Sequence, residues 1–183
     1  MAAHHVELLD TARQLLARQP GQRGRLSGAR VRRSISTSYY ALFSFLMKEV
    51  SDRIVGTGGA LSVRRRMFSR VLTHAGLLSA LSKCRGGQIE ANVSGFFQHA
   101  AAPVTVAPPF IRTMAAAFSD SQAKRHDADY DMNASLSETD ALVLATRVER
   151  AISDWSTART AADRDFKHAL CLLLVLKGKL RTE

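Results

Sequence analysis

Arg125, His126, Asp129 and Tyr130 fall within one short polar run, Lys124-Arg125-His126-Asp127-Ala128-Asp129-Tyr130-Asp131. These side chains could do chemistry together. A guanidinium grips phosphate through paired N–H donors, an imidazole titrates near neutral pH and can carry a proton, and a carboxylate can orient it. If the run is helical, Arg125 and Asp129 stand one turn apart on the same face. Upstream, Arg33, Thr37 and Tyr40 also return to one side of a helix by their spacing. The two sets could form a polar cluster between two helices, and two readings of it stay open. In the first, Arg125 binds phosphate, His126 carries the proton and Asp129 orients it. In the second, Asp129 pairs with Arg33 or Arg125 beneath tyrosine hydroxyls, and the cluster fixes helix register.

The elements that must position these residues are helices. Val6, Leu9, Ala12, Leu15 and Leu16 recur at three- and four-residue spacing, which predicts a first amphipathic helix ending near Pro20-Gly21. Val31, Ile35, Tyr39, Leu42, Leu46 and Val50 predict a second helix over residues 30–50 with one continuous buried stripe. After Gly56-Thr57-Gly58-Gly59, a third helix carries Val63, Met67, Val71, Leu72, Leu78 and Leu81. Residues 84–109 read as a less regular loop with a short helix near 93–102. A fourth helix begins at Phe110 and runs into the polar segment. Ser135 or Ser137 caps a fifth, Ser135 having Glu138 three residues on as a capping box requires, and a last helix spans about 159–176. No stretch alternates with period two, so the expectation is an all-α bundle of five to six helices in a single domain, 1–183.

Charge is placed unevenly. The net charge is +10, and residues 1–90 hold all of the excess, because residues 91–183 carry as many acids as bases. Arg13, Arg18, Arg23, Arg25, Arg30, Arg32 and Arg33 form one acid-free series, and Arg64, Arg65, Arg66, Arg70, Lys83 and Arg85 form another. If neighbouring helices carry these series, they present a positive face suited to phosphates; otherwise they form a solvated surface. Arg32, Arg33, Arg64, Arg65, Arg66 and Arg70, with Tyr40, are the candidate phosphate- or RNA-binding residues. Arginine suits this role because its planar fork pairs with phosphate in a way lysine cannot.

At this point the text resembles a family. Arg32-Arg33-Ser34-Ile35-Ser36-Thr37-Ser38-Tyr39-Tyr40-Ala41-Leu42-Phe43 and the run from Lys124 to Asp131 are similar to a bacterial branch of the HEPN superfamily. So are Arg64-Arg65-Arg66, Arg70-Val71-Leu72-Thr73-His74-Ala75-Gly76 and the Leu-rich ending after Phe166. The resemblance covers most of the chain in the right order. It implies a helical bundle that dimerises, with an Arg and, a few residues on, a His from each chain in a shared cleft that cleaves RNA without metal. Arg125 matches that Arg. The His has no counterpart, since position 130 holds Tyr130 and no histidine lies between His126 and His168. A phenol with pKa near 10 moves protons poorly at neutral pH. The resemblance therefore implies an RNA- or nucleotide-associated protein with a degenerate ribonuclease site, of toxin or defence type, acting in the cytoplasm as a homodimer, with an antitoxin or other protein as a further partner. The alternative is a non-catalytic homodimeric interaction protein whose polar motif only fixes packing.

Other constellations point to simpler roles. The Gly56–Gly59 turn lacks the Gly-Lys-Ser/Thr of a phosphate-cradling loop, and no cofactor motif is present. Asp127, Asp129, Asp131, Asn133 and Glu138 match calcium-loop positions, but Met132 stands where that loop needs Gly. His74 and His99 are isolated from other ligand types, so no metal is expected. Trp155, Phe96 and Phe97 read as core or loop anchors. Cys84 and Cys171 have no CxxC partner and read as reduced thiols. The N-terminus lacks the basic and apolar regions of a signal peptide, and the run 169–176 is far too short to span a membrane.

Overall fold

A computed structural model describes residues 3–18, 21, 24–89, 94–97 and 104–176, and of Phe96 only the backbone. It is all-α. Seven α-helices are found among the described residues: α1 (His4–Leu16), α2 (Gly28–Val55), α3 (Ser62–Ser69), α4 (His74–Arg85), α5 (Pro109–Tyr130), α6 (Glu138–Thr157) and α7 (Ala161–Leu176). The only extended pairing among them is an antiparallel bridge between Gln88 and Val106, closed by Ile89 N–H to Thr105 O at 2.8 Å and Ala107 N–H to Gly87 O at 2.9 Å. None of the described helices is long and apolar enough to cross a membrane.

The count exceeds the expected five to six because the predicted third helix is two. Its apolar spacing runs unbroken through Val71 and Leu72, but Thr73 adopts an extended backbone, and its hydroxyl accepts the Gly76 N–H at 3.1 Å. A threonine whose side chain can satisfy an orphan helix donor favours a new N-terminus over continuation. The sequence left two candidate caps for α6. Ser137, not Ser135, caps it, and the reciprocal partner is Asp140: Ser137 Oγ accepts the Asp140 N–H at 3.0 Å, and Asp140 Oδ2 accepts the Ser137 N–H at 3.0 Å. Thr160 and Asp163 repeat the arrangement ahead of α7. The predicted helix at 93–102 lies mostly outside the described residues, which hold a single turn at Gly95–Phe97. Pro20, Arg23 and His99 also lie outside them.

Contacts divide the chain into two units. The first comprises Met1–Phe45 and Ala117–Ser153, and the second Leu46–Ala116 and Asp154–Glu183. In the first unit the α2 stripe Val31, Ile35, Tyr39 and Leu42 is fully or nearly fully buried, and Leu26, Ala128, Ala141 and Leu144 pack with its beginning. Small residues at 128 and 141 let helices approach closely, and Ser34 Oγ ties α2 to α1 by donating to Ala12 O at 2.8 Å. Glu138 serves this unit too: its Oε1 accepts the Leu26 N–H at 2.8 Å, the main reason its pKa lies below the ordinary glutamate value, while Oε2 meets Arg18 at 3.2 Å.

The second unit is built on Leu46, Val50, Leu77, Leu81, Phe110, Ile111, Met114, Trp155, Leu170 and Leu173, all buried. α7 packs on α4 and on the Gly95–Phe97 turn, where Phe97 and Phe166 stack at 6.2 Å. α2 ends at Gly56, whose φ of +100° is the left-handed conformation glycine supplies at a helix C-terminus. Arg65 then holds the glycine-rich turn, donating to Gly56 O at 2.7 Å and Gly58 O at 2.9 Å. Cys84 and Cys171 are both buried and form no disulfide, and burial pushes the Cys171 thiol up to about 12.

Candidate functional site

α5 carries the polar run to its C-terminal end, and α2 supplies the facing residues, so both halves of the sequence motif meet within the first unit. Arg125 is the hub. Its Nε donates to Asp129 Oδ2 at 2.7 Å, one helical turn on. Its Nη2 donates to Tyr40 OH at 3.1 Å and to Tyr130 OH at 3.3 Å. The guanidinium carbon lies 5.7, 5.5 and 5.4 Å from the ring centres of Tyr39, Tyr40 and Tyr130, a range in which aromatic faces attract a cation. Burial alone would lower the Arg125 pKa, but the Tyr40 phenol and the hydrogen-bonded Asp129 outweigh it and hold it above the ordinary value.

The layers around this hub differ in exposure. Tyr39 is wholly buried, 5.6 Å ring to ring from Phe118, and burial drives its hydroxyl pKa upward. Tyr40 is 37% exposed and Tyr130 64%, so the outer side of the cluster is a wet aromatic surface. His126, also exposed, lies against Tyr130 with ring centres 5.3 Å apart. A histidine adjacent to Arg125 on a helix points away from it, but the turn from 126 to 130 brings it beside a phenol that does contact Arg125.

Asp129 divides its carboxylate between Arg125 and Ser36, whose Oγ donates to Oδ1. Among the described residues no hydrogen bond joins Asp129 to His126. The pairing partner is Arg125 rather than Arg33, which is exposed and makes no ion pair among the described residues. Sequence reasoning missed Ser36 as a partner of Asp129, and it placed Tyr39 in the buried stripe without its contact to Arg125. Ser36 sits one turn before Tyr40, which was its only sequence signal.

The basic series divides by use. Arg32 donates to the carbonyls of Asp127, Ala128, Asp131, Met132 and Ala134 and so closes the C-terminal end of α5. Arg30 does the same for α1 through Leu15 O and Ala17 O, and Arg13 pairs with Glu149. In the second unit Arg65 also meets Asp52 at 3.4 Å, whereas Arg64, Arg66 and Arg70 are exposed. Asp127 and Asp129 lie inside α5, so the calcium-loop spacing is not folded as a loop. A groove of about 410 Å³ beside the motif, lined by Asp120, Lys124, Asp127, Asp140, Val143 and Arg147, contains the ion pairs Lys124–Asp140 and Arg147–Asp120.

Comparison with protein-family models, with curated proteins and with solved structures finds no match to this chain.

Proposed function

We propose that this chain is a HEPN-like protein that associates with RNA or a nucleotide through the Arg125 cluster, with a ribonuclease-type site that has lost its histidine. One observation carries the reading: a guanidinium held at the surface beside two exposed tyrosines, with His126 next to them. Bases stack on such rings whatever their sequence, and an arginine among them meets the phosphate between two bases. Tyr130 occupies the position at which the family resemblance implies a histidine, and Asp129 is bound to Arg125 and Ser36 rather than to His126. Both favour binding over cleavage. Homodimerisation, a cytoplasmic setting and a toxin or defence role come from the resemblance and belong to the same proposal.

The alternative, an interaction protein whose polar motif only fixes packing, draws on a specific feature as well. Ser36–Asp129 and Tyr40–Arg125 both tie α2 to α5.

Incubating wild type and Arg125→Ala with total RNA and labelled tRNA without added metal separates these readings. A cleavage gel and binding titrations at two salt concentrations serve as readouts. The proposal expects binding that weakens steeply with salt and is lost in Arg125→Ala. Tyr130→Ala should cost about 1–3 kcal/mol of affinity, the usual size of one base–aromatic stack. Cleavage by wild type alone would make the site active despite Tyr130. Neither binding nor cleavage would leave the interaction protein.

A further inference from the structure

The second unit contains a concavity of about 430 Å³ that the proposed RNA site does not use. Glu49 and Arg53 of α2, Trp155 of α6, Arg159 of the α6–α7 connection, and Arg164 and Lys167 of α7 line it. Four cations thus face one carboxylate. That carboxylate is committed to the wall: Glu49 Oε2 accepts the Trp155 indole N–H at 2.7 Å and Arg53 Nη2 at 3.2 Å.

Lys167 is the unusual member. It is only 4% exposed, and its ammonium lies 5.4 Å from the Trp155 ring and 5.5 Å from the Phe110 ring. Among the described residues the acceptor it meets is a neutral carbonyl, Ala158 O. Burial and the neighbouring Arg53 depress its pKa, against Glu49 and Asp163. Asp163 is itself engaged by the Thr160 amide and hydroxyl. Buried charges are normally paired; here the ammonium lies against two aromatic rings, and Trp155 and a second cation, Arg53, share its wall. Arg53 Nε is also buried and has no hydrogen-bond partner among the described residues. Arg159 and Arg164 complete the rim, each with one N–H turned to a carbonyl, Ser156 O and Arg159 O. Such a wall gains from an anion that brings several acceptor oxygens and two negative charges.

We propose that this pocket binds a terminal phosphate group, the phosphomonoester dianion shared by free phosphate, mononucleotides and 5′-phosphorylated oligonucleotides. Lys167 supplies a desolvated charge at the base, and the arginines supply forks that match tetrahedral oxyanion geometry. The pocket lies in a different unit from Arg125, so the proposal does not depend on the RNA reading.

Trp155 is the chain's sole tryptophan and lies on the pocket wall, so its fluorescence reports occupancy directly. The full chain is titrated with inorganic phosphate at constant ionic strength held by chloride, and in parallel with AMP, adenosine, and a short oligonucleotide with and without its 5′-phosphate. A saturable change with phosphate, accompanied by a rise in Tm, is expected. AMP or the phosphorylated oligonucleotide binding more tightly than phosphate would identify the source of the group, with adenosine and the unphosphorylated strand silent. Lys167→Met and Arg164→Gln should each weaken binding at least tenfold. Arg164→Gln alters an exposed side chain and keeps the test valid if Lys167→Met fails to fold. A response no greater than that to chloride, or one unchanged in Arg164→Gln and Arg159→Gln, would overturn the proposal.

Discussion

Arg32 Nη2 donates to Ala134 O at 2.9 Å while Nη1 of the same guanidinium donates to Asp131 O at 2.8 Å, so one α2 side chain closes the end of α5 and the turn that follows. The last carbonyls of a helix have no partner within it and carry partial negative charge. A planar fork satisfies several at once. Arg32→Ala is expected to destabilise the chain by about 2 kcal/mol, the scale of hydrogen bonds to a charged group, read as a fall in the denaturation midpoint with unchanged m-value. Arg32→Lys should recover less than half, because an ammonium cannot span acceptors on both sides. Full recovery would mean that only the charge matters.

Arg125 and Asp129 test whether the motif is held together by charge. A double-mutant cycle with Arg125→Met and Asp129→Asn is expected to give a coupling of about 0.5–1 kcal/mol, because the pair is only partly shielded from solvent. Coupling should fall as salt rises. A coupling of zero at low salt would place the strength of the cluster in the tyrosine contacts instead.

Gly76 looks like a harmless place for alanine, since it lies in the first turn of α4. A Cβ there would meet Thr73 Oγ1 at 2.9 Å, and that oxygen is the cap. Gly76→Ala should therefore lower stability rather than gain the roughly 1 kcal/mol of helix propensity. Thr73→Ala should cost about 1 kcal/mol. In the Thr73→Ala background Gly76→Ala should become neutral or stabilising, and thermal melts of the four proteins would show whether it does.

Acid should expose the two capping boxes. Asp140 is held below the ordinary aspartate pKa first by the Ser137 hydroxyl, and Asp163 first by the Thr160 hydroxyl. A carboxylate with a depressed folded-state pKa contributes stability above its unfolded value, near 3.9, and loses it as pH falls through the folded value. Stability should fall below about pH 4, and Ser137→Ala with Thr160→Ala should flatten that acid limb while leaving the slope near neutrality unchanged. An identical acid limb in wild type and variant would show that other carboxylates control it.

The stripe Val31–Ile35–Tyr39–Leu42–Leu46–Val50 was legible because burial on one face of a long helix writes itself as a period in apolar residues. The joint between α3 and α4 was not, since apolar spacing continues across it and only the Thr73 hydroxyl marks the stop. Helix spacing put Arg125 and Asp129 on one face and offered their meeting with Tyr40 and Tyr130 as one arrangement, but it cannot bring two helices together, and it gave no sign of the share taken by Ser36. The arginine series was legible as charge alone. Composition does not distinguish Arg30 and Arg32, bonded to helix carbonyls, from Arg33 and Arg64, which face solvent, because that difference arises only once helix ends are brought close to them.

α3 has no buried residue, and Val63 and Met67 on it are 53% and 64% exposed. None of its eight residues is part of the core. Its amides should exchange with deuterium through local opening on a clock set by the helix itself, while those beside Ile35 and Leu42 wait for the whole fold to open. Substitutions that loosen the core would hasten the second clock and leave the first unchanged. Arg64 and Arg66 thus ride on a segment whose shape is decided locally, while Arg65 ties that segment to Asp52 and to the turn after α2.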